Sequence, residues 1–119
     1  VLCGHDLMSN ARRGLKLVFS GDTRPCESIK NAARDADLLI HDATYGEDEY
    51  MEQALIYGHS TFREAAELAL AAGAKRLWLT HFSQIMRRPS EHIANAAAHF
   101  PGAVCGSDGL KANISFNDT

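Results

Sequence analysis

The feature that most constrains the fold is a pattern that recurs three times: a short apolar run that ends directly in a polar cluster. The runs span residues 15–19, 36–40 and 76–80, and they are rich in branched and aromatic side chains. Runs of this length and composition are typical of buried β-strands, and we expect the first to be buried on both faces. Helical sequence separates the runs, so strands and helices should alternate. That alternation favours a parallel sheet in an α/β fold.

The polar clusters that follow the runs contain Asp22, the pair His41-Asp42, and His81. Gly21 allows the backbone to turn, so that Asp22 is presented at the end of its strand. The carboxyl ends of parallel strands share one edge of a sheet, and ligands bind beyond that edge. Carboxylate and imidazole are side chains suited to zinc and similar metals. The three clusters therefore predict a metal site or an acid–base site at one edge of the sheet.

Helix signals fill the intervals between these runs. The predicted helices span residues 24–33, 47–57, 61–73 and 91–100. Thr61 and Glu64 have the spacing of a capping box, while Gly58 and Gly73 are suited to helix C-termini. A final β portion with a hairpin-like end is expected over 103–116.

His59 is predicted to lie on a loop, immediately before the capped helix. A histidine on a mobile loop over the same sheet edge is suited to act as a general acid that protonates a leaving oxygen. The alternative interpretation is a polar surface residue at the entry to a helix. His5, His92 and His99 are interpreted as surface or core-edge residues. The serines lack a G-x-S-x-G elbow, and no G-x-G-x-x-G or phosphate-binding P-loop is present.

Composition narrows the class of protein. A chain of 119 residues is long enough for one ordinary domain. No apolar run approaches the length of a membrane helix, and no signal peptide opens the chain, so no membrane association is expected. The net charge of −3 argues against a generic polyanion coat. Cys3, Cys26 and Cys105 show no close pairing, which favours reduced thiols and a cytosolic compartment.

Four motifs taken together resemble the C-terminal half of ribonuclease Z. These are F-S-G-D-T at 19–23, L-I-H-D-A-T at 39–44, H-S-T at 59–61 and L-T-H-F-S at 79–83. Ribonuclease Z enzymes are tRNA 3′-processing endonucleases of the metallo-β-lactamase fold. The resemblance implies that residues 1–119 form a partial domain, the C-terminal half of an αββα sandwich.

The resemblance also implies residue roles. Asp22 would bridge two zinc ions, and His81 would complete the coordination of one of them. His59 would assist departure of the 3′ oxygen, with Asp42 as its partner where the family usually carries glutamate. A carboxylate beside His59 would favour the protonated imidazole that can donate. Substrate contacts are implied for Thr23, Thr61, Ser83 and Arg87.

The chain departs from the family pattern in its missing H-x-H-x-D-H motif, which supplies most zinc ligands and the general base. It therefore looks like a fragment of a longer enzyme, and alone it is expected to bind zinc poorly and to leave RNA uncut. After H-F-S, where the family often has Arg-Tyr, this chain has Gln84 and the residues up to Arg88. The resemblance implies precursor tRNA as substrate and a cytoplasmic homodimer as the complete protein. Two alternatives remain: a hydrolase of the same fold that acts on a small ester, such as a phosphodiesterase, and a non-catalytic binding half.

Overall fold

The three apolar runs form neighbouring strands of one sheet. The computed structural model describes residues 7–10, 16–84, 86 and 88–106. The strands are β1 (Leu7–Asn10), β2 (Lys16–Phe19), β3 (Leu38–Asp42), β4 (Leu77–Thr80) and β5 (Val104–Cys105). The helices are α1 (Glu27–Ala32), α2 (Met51–Tyr57), α3 (Phe62–Ala72) and α4 (Ala94–Ala97), with 3₁₀ turns at Asp48–Tyr50 and Pro89–His92.

Strand order in the sheet follows chain order from β1 to β5. The strands β2, β3, β4 and β5 pair in parallel, whereas β1 runs antiparallel to β2. The predicted α/β architecture with parallel pairing is thus confirmed. Strand β1 was not predicted, because its short sequence L-M-S-N carries neither an apolar run nor an alternating pattern.

The described core lies on one face of the sheet. Val18, Leu39, Leu77 and Leu79 point from the strands toward Phe62 of α3, and all five are almost completely buried. Small side chains of α3 allow the helix to lie close to the sheet: Ala65, Ala66, Ala69 and Ala72. This packing fixes the carboxyl ends of β2, β3 and β4 relative to one another.

The opposite face of the sheet is partly exposed in the described part of the chain. Leu17 and Phe19 of β2 are each 41% exposed, and Val104 of β5 is 40% exposed. The prediction that the first run is buried on both faces is therefore wrong. Successive side chains of a strand alternate between faces, and the described helices pack against the other face of the sheet.

Most helix boundaries follow their sequence signals. The capping box of Thr61 and Glu64 is present, and α2 and α3 end at Gly58 and Gly73 in left-handed conformations. The predicted helix 91–100 is instead a 3₁₀ turn at Pro89–His92 followed by the single turn α4. The hairpin-like end beyond residue 106, together with Cys3, His5 and Arg87, lies outside the described residues. Among the described helices, none has the length and apolar character needed to cross a membrane.

Candidate active site

The polar clusters converge at the carboxyl edge of the sheet. Asp22 Oδ1 lies 3.1 Å from His81 Nε2, and Asp42 Oδ2 lies 2.9 Å from His59 Nδ1. The rings of His59 and His81 stack with centroids 5.1 Å apart. Asp22, Asp42, His59 and His81, which are far apart in the sequence, therefore form one continuous cluster.

Backbone geometry at two strand exits presents these side chains. Gly21 has φ 69°, a left-handed conformation in which glycine carries no steric penalty, and it turns the chain so that Asp22 leaves the sheet. His81 has φ 63°, which is uncommon for a residue with a β-carbon. Ser83 N–H donates to the Thr44 carbonyl at 2.8 Å and ties the segment after β4 to the segment after β3.

Asp42 is completely buried, and its carboxylate accepts from four donors. Oδ2 accepts from the Thr23 backbone N–H at 2.8 Å and faces His59 Nδ1 at 2.9 Å. Oδ1 accepts from the backbone N–H of Thr44 at 3.0 Å and from its hydroxyl at 2.7 Å. A carboxylate has about four lone-pair sites, so these donors use its full capacity. Asp42 is therefore a partner of His59 and has no lone pair left for a metal ion.

Thr44 determines which nitrogen of His81 is available. The single hydroxyl proton of Thr44 goes to Asp42, so its oxygen accepts from His81 Nδ1, 3.2 Å away. In the neutral imidazole, Nε2 then carries a lone pair and faces the Asp22 carboxylate. A hydrogen-bonded ring nitrogen opposite a free one is the usual arrangement of a metal-binding histidine.

The donor set of Asp22 and His81 fits a metal ion. Both side chains are accessible, at 58% and 47% exposure, and their facing atoms are both acceptors when the imidazole is neutral. A divalent cation satisfies two such acceptors at once. Asp42, His59 and His81 also lie within 4.8 Å of one another as a possible metal-binding group. The saturated carboxylate of Asp42 favours Asp22 and His81 as the ligands.

His59 is held so that one edge of its ring stays accessible. Its Nδ1 is occupied by Asp42, its backbone N–H donates to the Ala54 carbonyl at 3.0 Å, and Tyr45 contacts the ring edge-on. The side chain is 19% exposed. Nε2 is the ring nitrogen left free to donate a proton to a bound molecule.

The structure gives less direct evidence about the residues that were predicted to contact the substrate. Thr23 and Thr61 are buried, and the Thr61 hydroxyl accepts from the Glu64 N–H as the cap of α3. Ser83 is partly buried near His81, whereas Arg87 lies outside the described residues. Their roles at the substrate stay predictions.

His41, although it belongs to the same cluster in the sequence, points into the core. It is fully buried, its Nδ1 donates to the Asp42 carbonyl at 2.8 Å, and burial lowers the pKa of its imidazole. In the described part of the chain, its Nε2 is the buried side-chain polar atom without a hydrogen-bond partner. Successive side chains of β3 point to opposite faces, so His41 points into the core while Asp42 faces the site.

Thr44 and Tyr45 also belong to this cluster, although no role was predicted for either of them from the sequence. Thr44 connects Asp42 to His81, and Tyr45 packs against His59 and stacks on Tyr50 with centroids 5.8 Å apart. The signal for Thr44 was its position two residues after Asp42, which is the spacing of a local side-chain to backbone hydrogen bond.

The fold and this cluster define a class of protein. The profile of the beta-lactamase superfamily domain matches residues 8–82. The chain belongs to this superfamily, and the predicted metallo-β-lactamase fold is confirmed.

Two individual relatives show which family within this superfamily the chain resembles. The chain is 38% identical to ribonuclease Z of Lachnospira eligens over 112 residues, which cover 94% of this chain and 37% of the relative. It is 44% identical to ribonuclease Z of Halobacterium salinarum over 119 residues, which cover 99% of this chain and 38% of the relative. The predicted resemblance to ribonuclease Z is thus confirmed, and the chain spans a little over a third of the length of these relatives.

A solved structure agrees with the sequence relatives. The crystal structure of human tRNase Z, short form, superposes on this chain with a TM-score of 0.68 at 32% sequence identity. The superposition covers 87% of this chain and 35% of that protein.

Proposed function

We propose that the complete protein containing this chain is a zinc-dependent endoribonuclease that removes the 3′ trailer of precursor tRNA. The observation that carries the proposal is the contact of His59 with the buried Asp42, beside the Asp22–His81 pair. The resemblance to ribonuclease Z supports tRNA as the substrate class. Zinc is supported by the carboxylate and imidazole donors, which suit that ion.

The proposed reaction is hydrolysis of a phosphodiester. Bound metal would supply Lewis-acid stabilisation of the phosphate oxygens and activate water. Asp22 and His81 Nε2 would hold metal, and a complete site would contain two ions. The oxygen of water would form a new bond to phosphorus while the bond from phosphorus to the 3′ oxygen breaks. The water proton would pass to the general base that the resemblance places in the H-x-H-x-D-H motif of the complete protein.

His59 would complete this step as the general acid. Its Nε2–H would pass a proton to the departing 3′ oxygen, which becomes a hydroxyl. The ionised Asp42 stabilises the positive charge of the imidazolium and keeps Nδ1 protonated. Thr23, Thr61, Ser83 and Arg87 are proposed to contact or shape the substrate site.

An assay of the complete protein with two substrates tests the proposal. We expect cleavage of a precursor tRNA at the 3′ trailer in the presence of zinc, at a higher kcat/KM than for a chromogenic phosphodiester. Efficient hydrolysis of the small ester with intact precursor tRNA would favour the alternative small-substrate hydrolase. Loss of both activities would favour a binding role without catalysis.

We also propose that the complete protein is a cytoplasmic homodimer, as the family resemblance implies. An exposed apolar stretch at the end of α2, Leu55 to Tyr57, supports a protein contact because each side chain is more than 60% exposed. Sedimentation equilibrium of the complete protein and of a Leu55→Ser variant tests the dimer.

A further inference from the structure

Arg24 links the turn that carries Asp22 to the loop that carries His59. We propose that Arg24 and Glu64 are positioning residues, which hold the His59 loop at the distance from the metal-binding turn that proton transfer requires. The inference rests on the proposed function, in which His59 is the general acid. Among the described residues, neither Arg24 nor Glu64 forms a hydrogen bond with the predicted metal ligands.

The contacts of Arg24 have the geometry of a clamp. Its Nη1 donates to the His59 carbonyl at 2.8 Å. Nη1 and Nη2 also pair with the two carboxylate oxygens of Glu64 at 2.5 Å each. A bidentate arginine–carboxylate pair fixes orientation as well as distance, so the guanidinium is held in place while it binds the loop.

Glu64 anchors this clamp to a helix. Its Oε1 accepts from the Thr61 backbone N–H at 3.1 Å, which is half of the capping box of α3. The side chains of Arg24 and Glu64 are only 28% and 11% exposed, so the pair is less screened than a surface ion pair. Glu64 can complete the capping box within its own helix, without Arg24. Because Glu64 also binds Arg24, it connects the helix to the His59 carbonyl.

Two further contacts join the same loops. Ser60 Oγ donates to the Thr23 carbonyl at 2.6 Å, and the Thr23 N–H donates to Asp42, the partner of His59. The two residues after Asp22 are therefore connected to the His59 carbonyl, to Ser60 and, through Asp42, to the His59 ring. A displacement of about 1 Å in a catalytic group can cost about 100-fold in rate, so this connection affects catalysis without touching substrate.

Arg63 provides a matched control. It is one residue before Glu64, is 32% exposed, and also pairs with two carboxylates, Asp48 at 2.6 Å and Glu67 at 2.8 Å. These contacts join α3 to the 3₁₀ turn at Asp48–Tyr50 and to Glu67 of the same helix, and they do not include His59 to Thr61. Arg24→Ala and Arg63→Ala in the complete protein therefore remove similar charges, but only the first opens the clamp.

The kinetic test uses two forms of the RNA substrate, one with oxygen and one with sulfur at the scissile 3′ position. A thiolate leaves without protonation, so its cleavage does not depend on the general acid. We expect Arg24→Ala to slow cleavage of the oxygen substrate by about 10- to 100-fold in kcat, and the sulfur substrate by less than about threefold. Arg63→Ala should cleave both substrates at wild-type rates. Arg24→Lys, which keeps the charge without the bidentate fork, should be impaired in the same direction.

Hydrogen exchange gives a readout that does not depend on activity. Amides of residues 59–61 should exchange faster in metal-free Arg24→Ala than in the wild type or Arg63→Ala. Equal slowing of both substrates, wild-type rates on both, or unchanged exchange in Arg24→Ala would overturn the inference. If the wild-type protein does not cleave precursor tRNA, the proposed function fails, and the exchange measurement still decides whether the clamp exists.

Discussion

Asp22 and Asp42 are two carboxylates in one cluster with different environments. Asp22 is 58% exposed and faces an imidazole nitrogen, whereas Asp42 is buried with four donors. The exposed one can exchange its partner for a metal, and the buried one cannot without losing hydrogen bonds. We therefore expect Asp22, but not Asp42, to bind a metal ion.

Replacing each aspartate in the complete protein should separate the two roles. Asp22→Ala should abolish cleavage and lower the bound zinc, because it removes a metal ligand. Asp42→Asn should retain zinc while kcat falls by about 100-fold or more, because the general acid loses its charged partner. Atomic absorption of the purified variants measures the difference. Full zinc content in Asp22→Ala, or zinc loss in Asp42→Asn, would contradict the assignment.

His41 leads to a prediction about pH and stability. Burial lowers the pKa of its imidazole below the ordinary value of 6.5, so the unfolded chain binds a proton that the folded chain does not. Stability is therefore full above about pH 6.5 and falls, by up to about 1.4 kcal/mol per pH unit, as the pH drops toward the folded pKa.

Urea unfolding of the protein and of His41→Asn at pH 8 and pH 5.5 measures this effect. Asparagine can still donate to the Asp42 carbonyl but does not titrate, so the variant should lose less stability on acidification. An identical pH dependence in the two proteins would show that His41 does not contribute.

At the residue scale, the sequence motifs predicted which side chains lie close together, but not which hydrogen bonds each of them forms. Asp22, Asp42, His59 and His81 were predicted to lie together from their positions after strands or in a loop, and the structure brings them into one cluster. The saturation of Asp42 was not predictable, because it depends on backbone N–H groups whose directions are set by the fold.

Among the elements, α2 and the loop after it depend on one backbone conformation. Gly58 has φ 76°, and a β-carbon placed there would meet no atom within 4 Å. Gly58→Ala therefore tests conformational strain without a clash, and we expect a loss of about 1 kcal/mol in the free energy of unfolding. Gly58→Asn should lose less, since asparagine tolerates the left-handed region. Equal stability of glycine and alanine forms in urea unfolding would contradict this explanation.

Helix ends could be predicted where a side chain or a glycine determines them locally. Thr61, Glu64, Gly58 and Gly73 act within a few residues of their own positions, so their signals survive in the sequence alone. The last helix was predicted too long, since the run of alanines favours helix but the stretch from Pro89 folds as a 3₁₀ turn before α4. Burial of β2 on one face was also missed, because it depends on what packs against the sheet.

For the whole molecule, the set of proposed metal ligands leads to a prediction about the chain on its own. The 119 residues include the proposed ligands Asp22 and His81 but no H-x-H-x-D-H motif. We expect the isolated chain to bind zinc weakly and to leave precursor tRNA intact, and we expect the complete protein to bind two ions. Isothermal titration with zinc compares the two, and two tightly bound ions in the isolated chain would contradict the proposal that it is a partial domain.

The order of the strands has a consequence for how the molecule is made. Each strand from β2 to β5 pairs with the strand that immediately precedes it along the chain. During synthesis, every new strand can therefore join an edge that has already left the ribosome, without waiting for a distant partner. Of the four clustered side chains Asp22, Asp42, His59 and His81, Asp22 would emerge first and His81 last, so the cluster is assembled in the order of translation.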